Sequence, residues 1–542
     1  MELESKTAHF VDEPVNGSSP PSDGVSEEGV PHSREHTGKE GHLHTIGGGS
    51  ANNRSRGPVD KLDRYLSAKP IISFGLTLQA SWEAVALSFQ STLLNGGPST
   101  LVYGAILSAF GSTAMAATLG EMASMQPCVG AQYRWTALLA PRGTNPRFWG
   151  YFQGWLTTFA WNAACALNPF LMGSMIQGCI ILCNESYVPQ GWHTTLLAYA
   201  SMALPIFCNI YARRLIAPLE IASAVLHVLL LIVFVVVLTC MARRSTSDFV
   251  FETSFYGISG WSNQGIQWSV GLLAVIFPIG GYDAILHMAD EVKDAKRKVP
   301  QAMVGSTALS SVVMFAFIIV LLFCIGDVDT VSATATGLPI IETLYQATNS
   351  KAGTVFLVTC IYFIIGASQF NILASVSRLA WAFAKDGGLP FSDKLSQVHP
   401  TLRIPINAVA LTSTICLLIN IIPVGSTTAF YALTSLSTLA LYFSYCVPAT
   451  LILMRKLENN FPAYGPWKIA GPYWVGLMVN IFAFAWGWYC VFSLCLPTLM
   501  PVTAANMNWA GPILAAVMVI AVTQWFVSGN KNFVLPKDEL DE

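Results

Sequence analysis

The chain has 542 residues, 53% of them hydrophobic and 11% charged, with a net charge of −2 and a mean hydropathy of +0.51. Soluble globular proteins carry roughly 25% charged residues, so the composition excludes that class and points to an all-α polytopic membrane protein. The near-neutral charge, with no basic cluster, argues against a nucleic-acid partner, and the twelve cysteines lack the spacing of a disulfide framework or a zinc site.

Residues 1–60 are rich in Gly, Ser, His and Glu and contain no apolar h-region. They are expected to form a disordered cytosolic tail rather than a signal peptide, leaving the first span to direct membrane insertion. The transporter domain is expected over 61–530, where apolar stretches of the roughly 20 residues needed for a bilayer crossing recur. Twelve lie near 70–94, 99–124, 149–182, 192–212, 215–242, 266–291, 301–326, 352–384, 405–422, 427–454, 473–497 and 508–529. Residues 531–542 are expected to be a short cytosolic tail.

Loops that follow even-numbered spans hold fifteen Lys and Arg, including Arg213 and Arg214 in loop 4–5 and Lys456 in loop 10–11. The opposite loops hold three, Arg243, Arg244 and Lys351. Under the positive-inside rule this bias places both termini in the cytosol. The sequon at Asn184 falls in loop 3–4, on the outer side, which makes Asn184 a candidate glycosylation site. The sequons at Asn16 and Asn53 fall on the cytosolic side.

Span 1 reads "IISFGLTLQASWEAVALSFQSTLL", polar and poorly helical from Gly75 to Glu83. Span 6 reads "VGLLAVIFPIGGYDAILHMADEV", with Pro278, Gly280 and Gly281 at its middle. Pro removes a backbone donor and Gly costs about 1 kcal/mol in a helix interior. Backbone freed in this way cannot face lipid, so each break is expected to line an enclosed cavity. The two broken spans are five apart, the spacing expected of two inverted repeats that place a substrate site at the bilayer midplane.

Each break is followed by an acid, Glu83 and Asp283, and a charge at that depth is costly enough to be a functional candidate. Glu83 is expected to act as counter-ion for a substrate ammonium, or to partner internal polar groups such as Gln79 or Asn162. Asp283 is expected to be a cation partner, a gate or a structural cap of the second half-helix. Trp82, Trp161 and Phe277 offer aromatic faces to an amine. Below the break, residues 283, 287, 290, 291 and 294 share one face at α-helical spacing, a polar stripe whose lower end reads as a solvated helix end. His287 and Glu291 have i, i+4 metal-ligand spacing but no further ligand cluster. In span 8, Ser368, Gln369, Asn371 and Ser375 are expected to face the interior.

Three stretches resemble a known family. "GYDAILHMADEVKDAKRKVPQAM" at 281–303 resembles the span 6 to loop 6–7 signature of fungal amino acid/choline permeases, within the amino acid–polyamine–organocation superfamily. "GEMASMQPCVGAQYRWTALLAP" at 120–141 resembles that superfamily's segment after span 2, and "FGLTLQASWEAVALSF" at 74–89 resembles its span 1. The likeness covers nearly all of 60–530. It implies a LeuT-like fold with 12 transmembrane helices in a 5+5 inverted repeat, helices 1 and 6 broken. Repeat one then spans about 70–242, repeat two about 266–454, and two peripheral spans fill 473–529.

The resemblance further implies secondary active, usually proton-coupled transport of amino acids, choline, 4-aminobutyrate or related amines. It places Gly280 and Gly281 at the substrate and Tyr282 where relatives carry an aromatic that closes over it. It sets His227, deep in span 5, where proton-coupled relatives carry a Lys, and an imidazole exchanges protons near neutral pH. The chain departs from the pattern in span 1, where "TLQASWEA" lacks the glycine pair with which many amino acid permeases cradle a carboxylate.

The expected partners are thus a small amine or amino acid, a coupled proton and the lipid bilayer, with the plasma membrane or an internal membrane such as the vacuole as location. No cofactor or metal is expected. Export or compartment loading of an amine-bearing metabolite is the alternative, and a non-transporting nutrient sensor a more distant one. No nucleophile motif, metal cluster or phosphate loop suggests an enzyme. The charge bias makes a topological prediction. Glycosidase treatment should shift the wild-type protein and leave Asn184→Gln unmoved, and protease added to intact cells should leave both tails whole; cleavage of either tail would reverse the orientation.

Overall fold

A computed structural model describes residues 68–212, 215–425, 429–504 and 506–535. The tail 1–60 with its sequons at Asn16 and Asn53, Arg213 and Arg214, and the C-terminal tail past 535 lie outside the described residues. Among those described, every regular element is a helix.

Eleven helices are long and apolar enough to cross a membrane. They are Pro98–Met125, Pro146–Cys183, Gly191–Tyr211, Pro218–Met241, Gln264–Glu291, Ala295–Phe323, Lys351–Lys385, Ile406–Gly425, Tyr431–Leu457, Tyr473–Leu494 and Ala510–Asn532, here spans 2–12 in order. Span 1 is absent from that count because it is no single helix: it runs as Ala68–Gln79, Ser81–Ser88 and Gln90–Leu94. Span 7 begins about two turns before its apolar part, because Lys296, Arg297 and Lys298 are helical too. Apolarity marks what lies in lipid, whereas a helix continues as far as its backbone bonds do.

The loops alternate between two ends, as the reading of spans requires. At one end the Tyr133 hydroxyl of loop 2–3 donates to Asp386 of loop 8–9 at 2.7 Å, and Arg455, at the foot of span 10, donates to the Leu139 and Ala140 carbonyls. At the other, Gly96 N bonds Phe255 O across loops 1–2 and 5–6, Met500 N bonds Ser259 O, and Lys351 pairs with Glu185 at 3.5 Å.

Between these ends, spans five apart pack together, 2 along 7 and 3 along 8, while span 10 lies on span 3. Small residues permit the approach. A Cβ on Gly154 of span 3 would stand 2.2 Å from the ring of Phe383 in span 8.

Lys456 corrects the charge reading. It is no solvated loop cation but is 1% exposed, donating to Glu121 Oε2 at 2.5 Å and to Asn480 Oδ1 at 2.6 Å. This network joins spans 2, 10 and 11, with the Phe461 and Tyr464 rings 5.2 and 5.1 Å from the ammonium. Removing one partner of a buried pair leaves an uncompensated charge and costs about 3–5 kcal/mol, whereas replacing both by apolar groups is often neutral. Lys456→Met should therefore lower the thermal midpoint of the purified protein sharply, and adding Glu121→Leu should recover most of the loss. A single variant as stable as wild type would show that the pair contributes nothing.

Candidate functional site

The two breaks meet. Span 1 is interrupted at Ala80, a non-glycine residue in the left-handed region (φ 41, ψ 51), a conformation that costs about 1–3 kcal/mol unless its surroundings hold it. Span 6 passes through a short 3₁₀ turn at Phe277–Ile279, an extended Gly280, and Gly281 at φ 76. Gly281 is favoured by its positive φ, which L side chains rarely adopt, while a Cβ there would meet the Trp161 ring only at van der Waals contact.

Side chains supply what the interrupted backbones lose. Gln79 Nε2 donates to Gly280 O at 3.3 Å and reaches Ile279 O at 3.5 Å, while its Oε1 accepts from Ser310 Oγ of span 7 at 2.7 Å. Ser368 Oγ of span 8 donates to Leu78 O at 3.0 Å, and Ser81 Oγ donates to Ser310 O at 3.1 Å. One glutamine thus ties break to break.

Between them lies a cavity of about 60 Å³, room for about four to six waters on a scale where each needs 10–15 Å³. Its wall combines the backbone at Ala80, Gly280 and Gly281 with Gln79, Asn168 and Ser368 and the aromatic rings of Trp161, Phe277 and Tyr442. The rest is Leu, Ile and Ala with Ser437 and Thr438, and among the described residues no Asp, Glu, His, Lys or Arg lines it. The chemistry on offer is aromatic faces, carbonyls and neutral polar groups among aliphatic side chains.

Of the residues singled out in the sequence, Gly280, Gly281, Trp161, Phe277, Gln79 and Ser368 line this cavity, whereas Trp82, Glu83, Tyr282 and Asp283 do not. The second half-helix of span 1 presents Ala80 and Ala84 to the cavity, so Glu83 points elsewhere. Glu83 is fully buried, and its Oε1 lies 2.8 Å from Nδ1 of His227 in span 5. This contact replaces the expected Gln79 or Asn162; the Asn162 amide donates instead to Thr158 O. Among the described residues Glu83 Oε2 and His227 Nε2 have no hydrogen-bond partner. Trp82 Nε1 donates to His227 O at 3.2 Å, with its ring between Phe234 and Phe317 at 5.0 and 5.2 Å. Three sequence candidates therefore form one cluster beside the cavity rather than in it.

Asp283 is buried among neutral donors. Its Oδ2 accepts from Trp161 Nε1 at 2.8 Å and Gln132 Nε2 at 2.9 Å, and its Oδ1 from the Tyr445 hydroxyl at 2.5 Å. Tyr282 packs on Tyr445 with ring centroids 4.8 Å apart, its own hydroxyl unpartnered. Asn184 is exposed at the end of span 3, its side-chain oxygen accepting from Ser186 N and Oγ.

The polar stripe of span 6 does not form as read. Residues Tyr282–Glu291 are a 3₁₀ helix, in which positions three apart eclipse, so 283 and 287 diverge by about a third of a turn. Its foot is solvated only in part: Glu291 is buried and pairs with Arg378 of span 8 at 3.0 Å, whereas Asp290 is half-buried and Lys293, Asp294, Lys296 and Arg297 are exposed. His287 is buried with neither nitrogen partnered and stands edge-on to Trp161, centroids 5.4 Å apart. In span 8 Ser368 reaches the cavity, whereas Gln369 turns to the sulfurs of Cys165 and Met202, and Asn371 and Ser375 are buried away from it. Tyr442, Tyr445, Gln132 and Ser310 were not legible as site residues, since nothing local separates them from ordinary packing.

Comparison with known proteins adds an independent line. A family model described as amino acid permease matches residues 71–521. The choline transporter of Saccharomyces cerevisiae is 30% identical over 482 residues, covering 87% of this chain and 83% of its own. Amino-acid permease 2 of Neurospora crassa is 26% identical over 481 residues, with 88% and 87% covered. Amino-acid permease BAT1 of Arabidopsis thaliana is 26% identical over 521 residues, with 92% and 98% covered.

Proposed function

The chain belongs to the amino acid permease family, and on that premise we propose a proton-coupled secondary transporter whose substrate occupies the cavity between the two helix breaks. A permease of this family is a multi-pass membrane protein and a transporter rather than an enzyme, with amines or amino acids as substrates. The observation that carries the reading is the cavity itself. It sits where two interrupted spans expose backbone, the place at which transporters of inverted-repeat design hold their solute, and its size suits a small amine. The similar yeast protein is named for choline transport, which favours an amine for this chain.

In this reading repeat one covers about 70–242 and repeat two about 266–454, both termini are cytosolic, and the protein imports across the plasma membrane. Gly280 and Gly281 contact the substrate. Glu83 and His227 carry the coupled proton. The carboxylate and imidazole, in contact at 2.8 Å, form a neutral unit when they hold one proton more than Glu83⁻ with neutral His227. Losing it leaves a buried negative charge without a cationic partner, which is strongly unfavourable. The consequence reaches the cavity through one peptide unit, because Glu83 is followed by Ala84 in the cavity wall. Proton occupancy and the shape of the substrate site are thereby linked.

Two variants test the assignment after surface delivery has been verified. His227→Ala should abolish accumulation driven by a pH gradient while leaving counterflow exchange measurable; accumulation unchanged at every pH would make His227 structural. Glu83→Gln should likewise lose accumulation but keep its apparent substrate affinity within a few-fold. A direct counter-ion to the substrate would instead lose a charge-assisted hydrogen bond worth roughly 1.5–3 kcal/mol, on the order of tenfold to a hundredfold in affinity.

A further inference from the structure

The cavity has no charged wall, yet a carboxylate stands one side chain behind it. Every hydrogen bond to Asp283 comes from a donor, namely Trp161 Nε1, Gln132 Nε2 and the Tyr445 hydroxyl, which is the surrounding an ionised carboxylate requires. Among the described residues no Lys, Arg or His pairs with it, in contrast to Glu83, Glu121 and Glu291. Its charge is therefore uncompensated at close range in a medium of low dielectric, where it is felt strongly. Of its three donors, Trp161 lines the cavity. An indole whose N–H is committed to a carboxylate carries more electron density on its ring face, the part of an aromatic that attracts cations.

We propose that Trp161 is the surface that recognises the substrate's cationic nitrogen, and that Asp283 is its positioning residue, fixing the indole and lending it negative charge through the N–H bond without touching the substrate. This rests on the cavity being the substrate site. It also specifies the kind of nitrogen. A primary ammonium brings three N–H donors that each need an acceptor. In this wall Gln79 Oε1 and Ser368 Oγ already accept from Ser310 and Asn168, and the Tyr442 hydroxyl is bonded to Ser112. That leaves chiefly the Ser437 and Thr438 hydroxyls and backbone carbonyls to serve all three. A fully N-methylated ammonium has no donors to satisfy and presents an apolar, positively charged surface, which matches aromatic rings set among Leu, Ile and Ala. The arrangement favours a methylated ammonium over a primary one of similar size.

The test compares choline with its uncharged isostere, in which carbon replaces the quaternary nitrogen, by titration calorimetry on the purified full-length protein. Wild type should bind choline at least tenfold more tightly than the isostere. Asp283→Asn keeps the shape of the residue and removes its charge. That preference should fall on the order of tenfold, the scale of a desolvated cation–π contact, with the isostere's own affinity nearly unchanged. Trp161→Phe keeps a ring but severs the N–H bond and should lose a comparable share. The double variant should fall no further, since both act through one relay. Tyr445→Phe removes a hydrogen bond from the same cluster but no charge, and should retain the preference; its loss there would mark a merely structural role and overturn the proposal. So would a preference retained by Asp283→Asn, with the transporter reading intact. If Asp283→Asn does not fold, a preference retained by Trp161→Phe overturns the proposal equally. A wild-type protein that does not distinguish the two compounds removes the cavity reading as well.

Discussion

The interior of a bilayer contains nothing that will hydrogen-bond a peptide group, and the centre of this protein is organised by that fact. A helix that stops in mid-membrane must find donors and acceptors in other helices, which is why two interrupted spans have to lie side by side. Gln79 makes the dependence explicit, since a single side chain of span 1 serves the carbonyls of span 6 while spans 7 and 8 attend to span 1 through Ser310 and Ser368. The space left over is the cavity. Its existence follows from residues at the breaks that are too small, or too committed, to fill it.

The same scarcity governs charge. Among the described residues four carboxylates are fully buried, and each is answered differently: Glu83 by an imidazole, Glu121 by an ammonium and an amide, Glu291 by a guanidinium, Asp283 by neutral donors alone. The first three join neighbouring spans as neutral units if the partner is protonated. The fourth leaves a net negative field within one residue of the cavity. If the cavity holds the substrate as proposed, an amine would be attracted to a place where no anion contacts it and could enter and leave without breaking an ion pair.

Much of this was legible in the sequence because the bilayer imposes coarse, local demands. Apolar length located the spans to within a few residues for most of them, and the Pro and Gly residues of span 6 and the polar middle of span 1 marked the breaks. What failed depended on contacts between distant positions. His227 and Glu83 were each conspicuous, but 144 positions separate them, and no local pattern told that they touch. Trp161 is one of fifteen tryptophans, and only its neighbours distinguish it from a packing residue. Lys456 follows Arg455 at a helix end and looked like another loop cation until Glu121 was found opposite. The polar stripe of span 6 was drawn on an α-helical wheel, and residue spacing alone cannot separate that wheel from a tighter one.

That tighter winding has a mechanical consequence. Ten residues, Tyr282–Glu291, are held in 3₁₀ form, a run well beyond the three or four usual for this geometry. At about 2.0 Å per residue the segment spans roughly 20 Å, against about 15 Å if the same residues were α-helical. The half-helix is therefore drawn out like an extended spring between two anchors, Asp283 among its donors at one end and Glu291 on Arg378 at the other. Wound as an α-helix, the same ten residues would be about 5 Å shorter along the axis and would set His287 at a different angle to Trp161.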